Sequence, residues 1–241
     1  MANAGTAANE SRESNALLGV ANRRLYPPLR DPNFLVLRSR RIIFQRWIDQ
    51  LSGETLSILD VGGRYQPYRP LFGNRARRYT ACDIVQTELV DVVGNGECLP
   101  FAPESFDVVV ATQVFEYFVE PQKAAREIHT VLKKGGTLLA SMACVAPRFS
   151  EHELWRLTPT GIQTLLSEFS QVTIVPETSS AGGLLRTANL AACAFGKGEL
   201  SRKMIELTFC SSMNLIGLGL ERITSPYRDQ FTSNYSVRAI K

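Results

Sequence analysis

The run Leu56-Ser-Ile-Leu-Asp-Val-Gly-Gly-Arg64 constrains the fold more than any other stretch of the chain. Leu56, Ile58, Leu59 and Val61 are apolar without strict alternation, the pattern of a parallel strand covered on both faces. Gly62 and Gly63 then allow a sharp turn in which the backbone can approach a ligand with no Cβ in the way. Asp60 stands at the carboxyl end of the strand, where open α/β sheets bind ligands.

The rest of the chain repeats this strand-then-helix rhythm. Strands are expected at Arg78–Asp83, Leu89–Val93, Phe106–Thr112, Thr137–Met142, Val172–Val175 and Tyr235–Ile240. Before the first strand, Asp31-Pro32 can open a helix, and Val36, Ile43, Phe44, Trp47, Ile48 and Leu51 continue it as one apolar stripe. A second helix is expected over Pro121–Leu132, closed by Lys133-Lys-Gly-Gly136. A third runs from Thr158-Pro159 to Phe169. The alternation predicts a doubly wound, mostly parallel seven-stranded sheet with helices on both faces.

Residues 1–16 are rich in Ala, Asn, Ser and Glu, and a disordered, basic segment is expected over residues 1–30. Up to Leu51, eight arginines face only Glu10, Glu13, Asp31 and Asp49. A solvated helix face explains this excess more simply than a nucleic-acid or lipid surface. One domain is expected over residues 31–241, with an apolar insertion at about 180–222 before the last strand. That insertion reads as core, or as a lid or membrane-surface helix, although it lacks the basic polar face of the latter.

Five cysteines, Cys82, Cys98, Cys144, Cys193 and Cys210, are scattered and show no C-x-x-C spacing. They point to reduced thiols in a cytoplasmic protein, and with only His129 and His152 available no metal centre is expected. No apolar stretch reaches the ~18 residues of a membrane span.

Asp60 and Asp83 each end a strand and lie 23 residues apart. This is the spacing between a nucleotide-binding glycine turn and an acid that takes ribose hydroxyls. Gly62-Gly-Arg-Tyr-Gln-Pro67 lacks the third glycine of a dinucleotide site, so a nucleoside without phosphates fits better.

At this point the chain resembles the Rossmann-like, class I methyltransferases that use S-adenosylmethionine, of the type 11 kind. The resemblance is carried by Leu59-Asp-Val-Gly-Gly63, Ala81-Cys-Asp-Ile84, Gly96-Glu-Cys-Leu-Pro-Phe101, Ser105 to Tyr117, and Arg126 to Gly136. It implies that Gly62 and Gly63 approach the methionine part of the cofactor and that Asp60 supports its ammonium. Asp83 would take the ribose hydroxyls, with Ile84 on the adenine. Asn95, Gly96 and Glu97 would border the adenine edge, and Thr112 and Gln113 would flank the methionine portion. The sequence departs from the common pattern at Arg64, where a glycine is usual, at Asn95, where an acid is usual, and at Tyr117, where a histidine often follows the glutamate.

Methyl transfer from a sulfonium needs mainly a well-held acceptor, with a base if that acceptor is a hydroxyl. His152 is the candidate base, weighed against an exposed loop histidine. Tyr117 and Trp155 are candidate acceptor contacts. Arg64, Arg69 and Arg156 follow strand ends on one side of the sheet and suggest an anionic acceptor. The segments Arg64–Leu71 and Trp155–Pro159 look like those of relatives that modify sugars, so a small-molecule or glycan-type acceptor is expected. The competing class is an inactive binding or scaffold protein with this fold. A nucleic-acid methyltransferase is disfavoured by the absence of a base-methylation motif or nucleic-acid-binding module.

Overall fold

The computed structural model describes residues 3–223 and 229–241. Its centre is a seven-stranded sheet of β1 (Leu56–Val61), β2 (Ala76–Asp83), β3 (Val92–Val93), β4 (Phe106–Thr112), β5 (Leu132–Ala143), β6 (Gln171–Pro176) and β7 (Asn234–Ile240). The strand order is β3-β2-β1-β4-β5-β7-β6. Strands β1 to β5 run parallel, and β7 lies antiparallel between β5 and β6. The order reverses between β1 and β4, whose carboxyl ends therefore flank the crevice where such sheets hold ligands.

The helices are α1 (Asn3–Leu25), α2 (Phe34–Asp49), α3 (Pro121–Val131), α4 (Pro159–Leu165), α5 (Ser180–Phe195), α6 (Glu199–Ile205) and α7 (Ser211–Ile223). Two apolar cores cover the two faces of the sheet. On one, Leu59, Val61, Val109 and Leu138 pack with Ala124, Ile128 and Ile162 from α3 and α4. On the other, Ile58, Val108, Val110 and Leu139 pack with Phe44, Trp47 and Ile48 from α2. The mixed apolar pattern of β1 follows directly, since Ile58 and Leu59 point into opposite cores.

Several boundaries differ from those expected. The chain from Asn3 to Leu25 is one helix, in keeping with the high helix propensity of its alanines, glutamates and arginines. Helix α2 begins at Phe34, because Asp31 is engaged otherwise. One Asp31 carboxylate oxygen pairs with Arg23 Nε at 2.5 Å, and the other accepts the Asn33 N–H. Lys133–Gly136, whose composition suggests a helix stop, belongs to β5. Gly135 takes φ +73° there, and the backbone pairs with Lys241, the residue after β7. Strand β3 is only Val92–Val93. The segment before the last strand is α5 to α7, joined between α6 and α7 by a π turn at Glu206–Cys210. Among the described residues no helix is long and apolar enough to cross a membrane.

Candidate active site

The turn after β1 is fixed by its own chain. Gly62 and Gly63 donate their N–H groups to the Cys82 carbonyl, tying the turn to the end of β2. Gly62 has φ +75°, and a Cβ there would meet Val114 at 2.9 Å. A Cβ on Gly63 would lie 2.7 Å from the Asp60 carbonyl oxygen. Both positions therefore require glycine for the turn itself, while Gly62 remains exposed at the crevice.

Asp83 ends β2 beside this turn and is 9% exposed. One carboxylate oxygen accepts the Arg64 N–H at 3.3 Å and the other accepts the Val85 N–H at 2.9 Å. Each oxygen keeps a free lone pair, enough for two further donors. Ile84, the next residue, is 72% exposed, an apolar platform beside the acid. Asn95 and Glu97 bond one another, with Asn95 Oδ1 accepting the Glu97 N–H at 3.0 Å and Nδ2 donating to Glu97 at 3.1 Å. Gly96 makes room for the Phe118 ring, which a Cβ would meet at 2.6 Å. Thr112 ends β4. Gln113 follows with φ +53°, donating to the Ser141 carbonyl and hydroxyl and accepting from Asn234, so that it ties β4 to β5 and β7.

Asp60 is buried and accepts the Tyr79 hydroxyl at 2.7 Å. Burial pushes its carboxyl up to about 7, opposed by the Tyr79 hydrogen bond and assisted by the Asp83 charge. Glu116, which follows β4 and to which the sequence assigns no role, is 2% exposed. One of its oxygens accepts the Ala143 N–H and the other has no partner. Burial likewise raises its carboxyl to about 7, against the pull of its own and the Ala143 backbone N–H groups.

The loop after β5 is stitched over this end of the sheet. The Glu116 carbonyl accepts the Leu154 and Trp155 N–H groups. Trp155 Nε1 donates to the Phe118 carbonyl at 2.7 Å, and the Tyr117 hydroxyl donates to Glu153 at 3.3 Å. Arg156 donates to Glu153 at 2.6 Å and to the Pro147 carbonyl at 3.1 Å. Tyr117, Trp155 and Arg156 are thus brought together as one wall, with the Arg156 charge matched by Glu153. Arg69 donates to Gln66 and lies over the Tyr79 ring. His152 stands apart from the buried carboxyls, its side chain 80% exposed and 3.7 Å from Glu151.

Residues 59–140 match a family described as a methyltransferase domain. Over that third the chain is similar to methyltransferase domains, and its fold is that of the class I, S-adenosylmethionine-dependent methyltransferases. A highly reducing polyketide synthase of Emericella nidulans is 36% identical over 75 residues, which are 31% of this chain and 3% of that protein. A methyltransferase of Archaeoglobus fulgidus that depends on the same cofactor superposes with a TM-score of 0.52 at 13% identity, covering 84% of this chain and 94% of the other. The Haemonchus contortus phosphoethanolamine N-methyltransferase 2, in complex with phosphomonomethylethanolamine and S-adenosylhomocysteine, gives 0.53 at 17% identity, covering 84% and 52%. The [4+2]-cyclase SpnF gives 0.51 at 18% identity, covering 82% and 80%. These likenesses establish the fold of the methyltransferase domain.

The crevice fits the cofactor of this class. A strand-end acid with free lone pairs, an exposed apolar platform next to it and an exposed glycine turn lie on one edge of the switch point. Among the described residues no group of three or more His, Cys, Asp or Glu side chains is placed to hold a metal ion.

The two raised carboxyls make stability depend on pH. A carboxyl whose pKa is higher in the folded chain holds a proton that the unfolded chain releases. Its contribution is complete below the unfolded pKa, near 4, and is lost as pH rises towards about 7. The urea midpoint is expected to fall between about pH 4 and about pH 7. Asp60→Asn, which can still accept the Tyr79 hydroxyl, should fall less over the same interval. Parallel pH dependence in the two proteins would show that Asp60 is ionised throughout.

Proposed function

We propose that this chain transfers a methyl group from S-adenosylmethionine to a small-molecule or glycan-type acceptor by in-line displacement. The observation that carries this reading is the conjunction of Asp83, exposed Ile84 and the Gly62-Gly63 turn at the sheet's switch point. Asp83 accepts the ribose hydroxyls, Ile84 lies on the adenine, and Asn95, Gly96 and Glu97 border its edge. Asp60 supports the ammonium, with the Gly62 and Gly63 backbone, Thr112 and Gln113 along the methionine portion.

The cofactor, when bound, supplies an electrophilic sulfonium methyl. The chain's own task is to hold the acceptor in line and to exclude water. Tyr117, Trp155 and the Glu153–Arg156 pair form one wall for the acceptor. Glu116 suits the role of base better than His152. It is buried, one oxygen is unpartnered, and its pKa near 7 matches a base working at neutral pH. His152 is left as an exposed loop residue under this reading.

Calorimetry and thermal shift with S-adenosylhomocysteine test the proposal. Binding to the folded chain is expected to raise its melting temperature, with about 1.4 kcal/mol added for each tenfold excess of ligand over Kd. No stabilisation at millimolar ligand would overturn it. A second reading, a chain that keeps the fold without transferring methyl groups, is favoured by the similarity to a [4+2]-cyclase. It predicts cofactor binding with no label transferred from methyl-labelled S-adenosylmethionine to any acceptor.

A further inference from the structure

The carboxyl ends of β4 and β5 lie beneath a cluster of arginines. Their charges are unevenly matched. Arg40 makes a bidentate pair with Glu177, at 2.8 and 2.9 Å, and its third nitrogen reaches the Tyr68 hydroxyl at 3.4 Å. Arg156 is matched by Glu153. Arg186 and Arg64, by contrast, have no carboxylate within ion-pair distance among the described residues.

Arg186, on α5, is 4% exposed. Its Nε donates to Asn33 Oδ1 at 2.9 Å, its guanidinium lies 5.3 Å from the Phe149 ring centroid, and its Nη1 is buried with no partner. Burial first, and the neighbouring Arg40 charge second, push this guanidinium down to about 10. Arg64 follows the glycine turn, with its Nε likewise buried and unpartnered and its head group 5.2 Å from the Tyr65 ring. Arg24, from α1, lies 4.6 Å from the same ring, so a second cation stands beside Arg64.

The Arg40–Glu177–Tyr68 unit is near both groups, since the Arg40 charge acts on Arg186 and on Arg24. Glu177 also accepts the Ser141 hydroxyl at 2.7 Å, which anchors the unit to β5 beside Gln113. Burying a guanidinium nitrogen with no acceptor is costly. An oxyanion restores both the missing hydrogen bond and the missing charge.

We propose that the acceptor of the proposed methyl transfer carries a phosphate group, bound by Arg186. Phosphate is preferred to a carboxylate because its second negative charge answers the cations around Arg186, on which both Arg40 and Arg156 act. The proposal rests on the methyltransferase reading for the word acceptor only, since the anion site itself is a property of the arginines.

Inorganic phosphate is the probe, titrated into protein saturated with S-adenosylhomocysteine at constant ionic strength, with acetate as the carboxylate comparison. Phosphate is expected to bind more tightly than acetate. Arg186→Gln is expected to weaken phosphate about tenfold or more, Arg186→Lys to recover part of the loss, and S-adenosylhomocysteine affinity to stay unchanged in both. Should Arg186→Gln fail to fold, Arg186→Lys gives the comparison, with phosphate expected to bind more weakly than in the wild type. Equal phosphate affinity in wild type and variants overturns the proposal. So does preference for acetate, or a loss confined to S-adenosylhomocysteine. Phosphate binding that depends on Arg186 in a protein that ignores S-adenosylhomocysteine sustains the anion site and refutes the methyltransferase reading instead.

Discussion

Arg40→Ala is expected to cost about 3–5 kcal/mol of stability, since it leaves a buried carboxylate without its counter-charge. Both partners are buried, and the bond is bidentate at 2.8 and 2.9 Å. Glu177 would keep the hydroxyls of Ser141 and Ser236, which together do not neutralise a charge. The pair also fixes geometry, because it joins α2 to the end of β6 and, through Ser141, to β5. Urea denaturation of Arg40→Ala, Glu177→Gln and the double variant forms a cycle that isolates the coupling. The double variant should be closer to wild type than the two single losses would sum to. A single-variant loss below about 1 kcal/mol, the range of surface pairs, would show that the pair is open to solvent.

What the sequence discloses here is what depends on neighbours along the chain. Strand β1, the glycines after it and the acids ending β1 and β2 are signalled by a few adjacent residues. The Thr158-Pro159 start of α4 is equally local, with Thr158 Oγ1 accepting the Gly161 N–H. The rest is set by partners far away in sequence. Arg40 and Glu177 are 137 residues apart, and Arg186 and Asn33 are 153 apart. No local pattern marks Arg186 as buried or Glu116 as half-satisfied.

The same distinction explains the misplaced boundaries. Lys133-Lys-Gly-Gly136 has helix-stop chemistry, but its backbone hydrogen bonds go to Lys241, and that pairing makes it strand. Arg64, Arg69 and Arg156 look alike as arginines after strand ends. Only the fold shows that Arg156 has a carboxylate partner and that the Arg64 Nε does not.

Asp83→Asn is expected to weaken S-adenosylhomocysteine binding by about 1–3 kcal/mol, a factor of roughly 5 to 150. The carboxylate has two jobs at once. It accepts the Arg64 and Val85 N–H groups, one on each oxygen, and it keeps lone pairs for the two ribose hydroxyls. Asparagine offers one oxygen and one NH2 group. Whichever way the amide turns, one backbone N–H then faces a donor, and the glycine turn loses a tie as the ribose loses a charged acceptor. The loss should therefore appear in affinity more than in folding, because Gly62 and Gly63 remain held by the Cys82 carbonyl. Calorimetry on Asp83→Asn and on Ile84→Ala separates the polar from the apolar half of the site, with urea midpoints as the check on folding. Unchanged affinity in Asp83→Asn would make Asp83 a strand-end acid that serves only the turn, and the ribose would have to be sought elsewhere along the crevice.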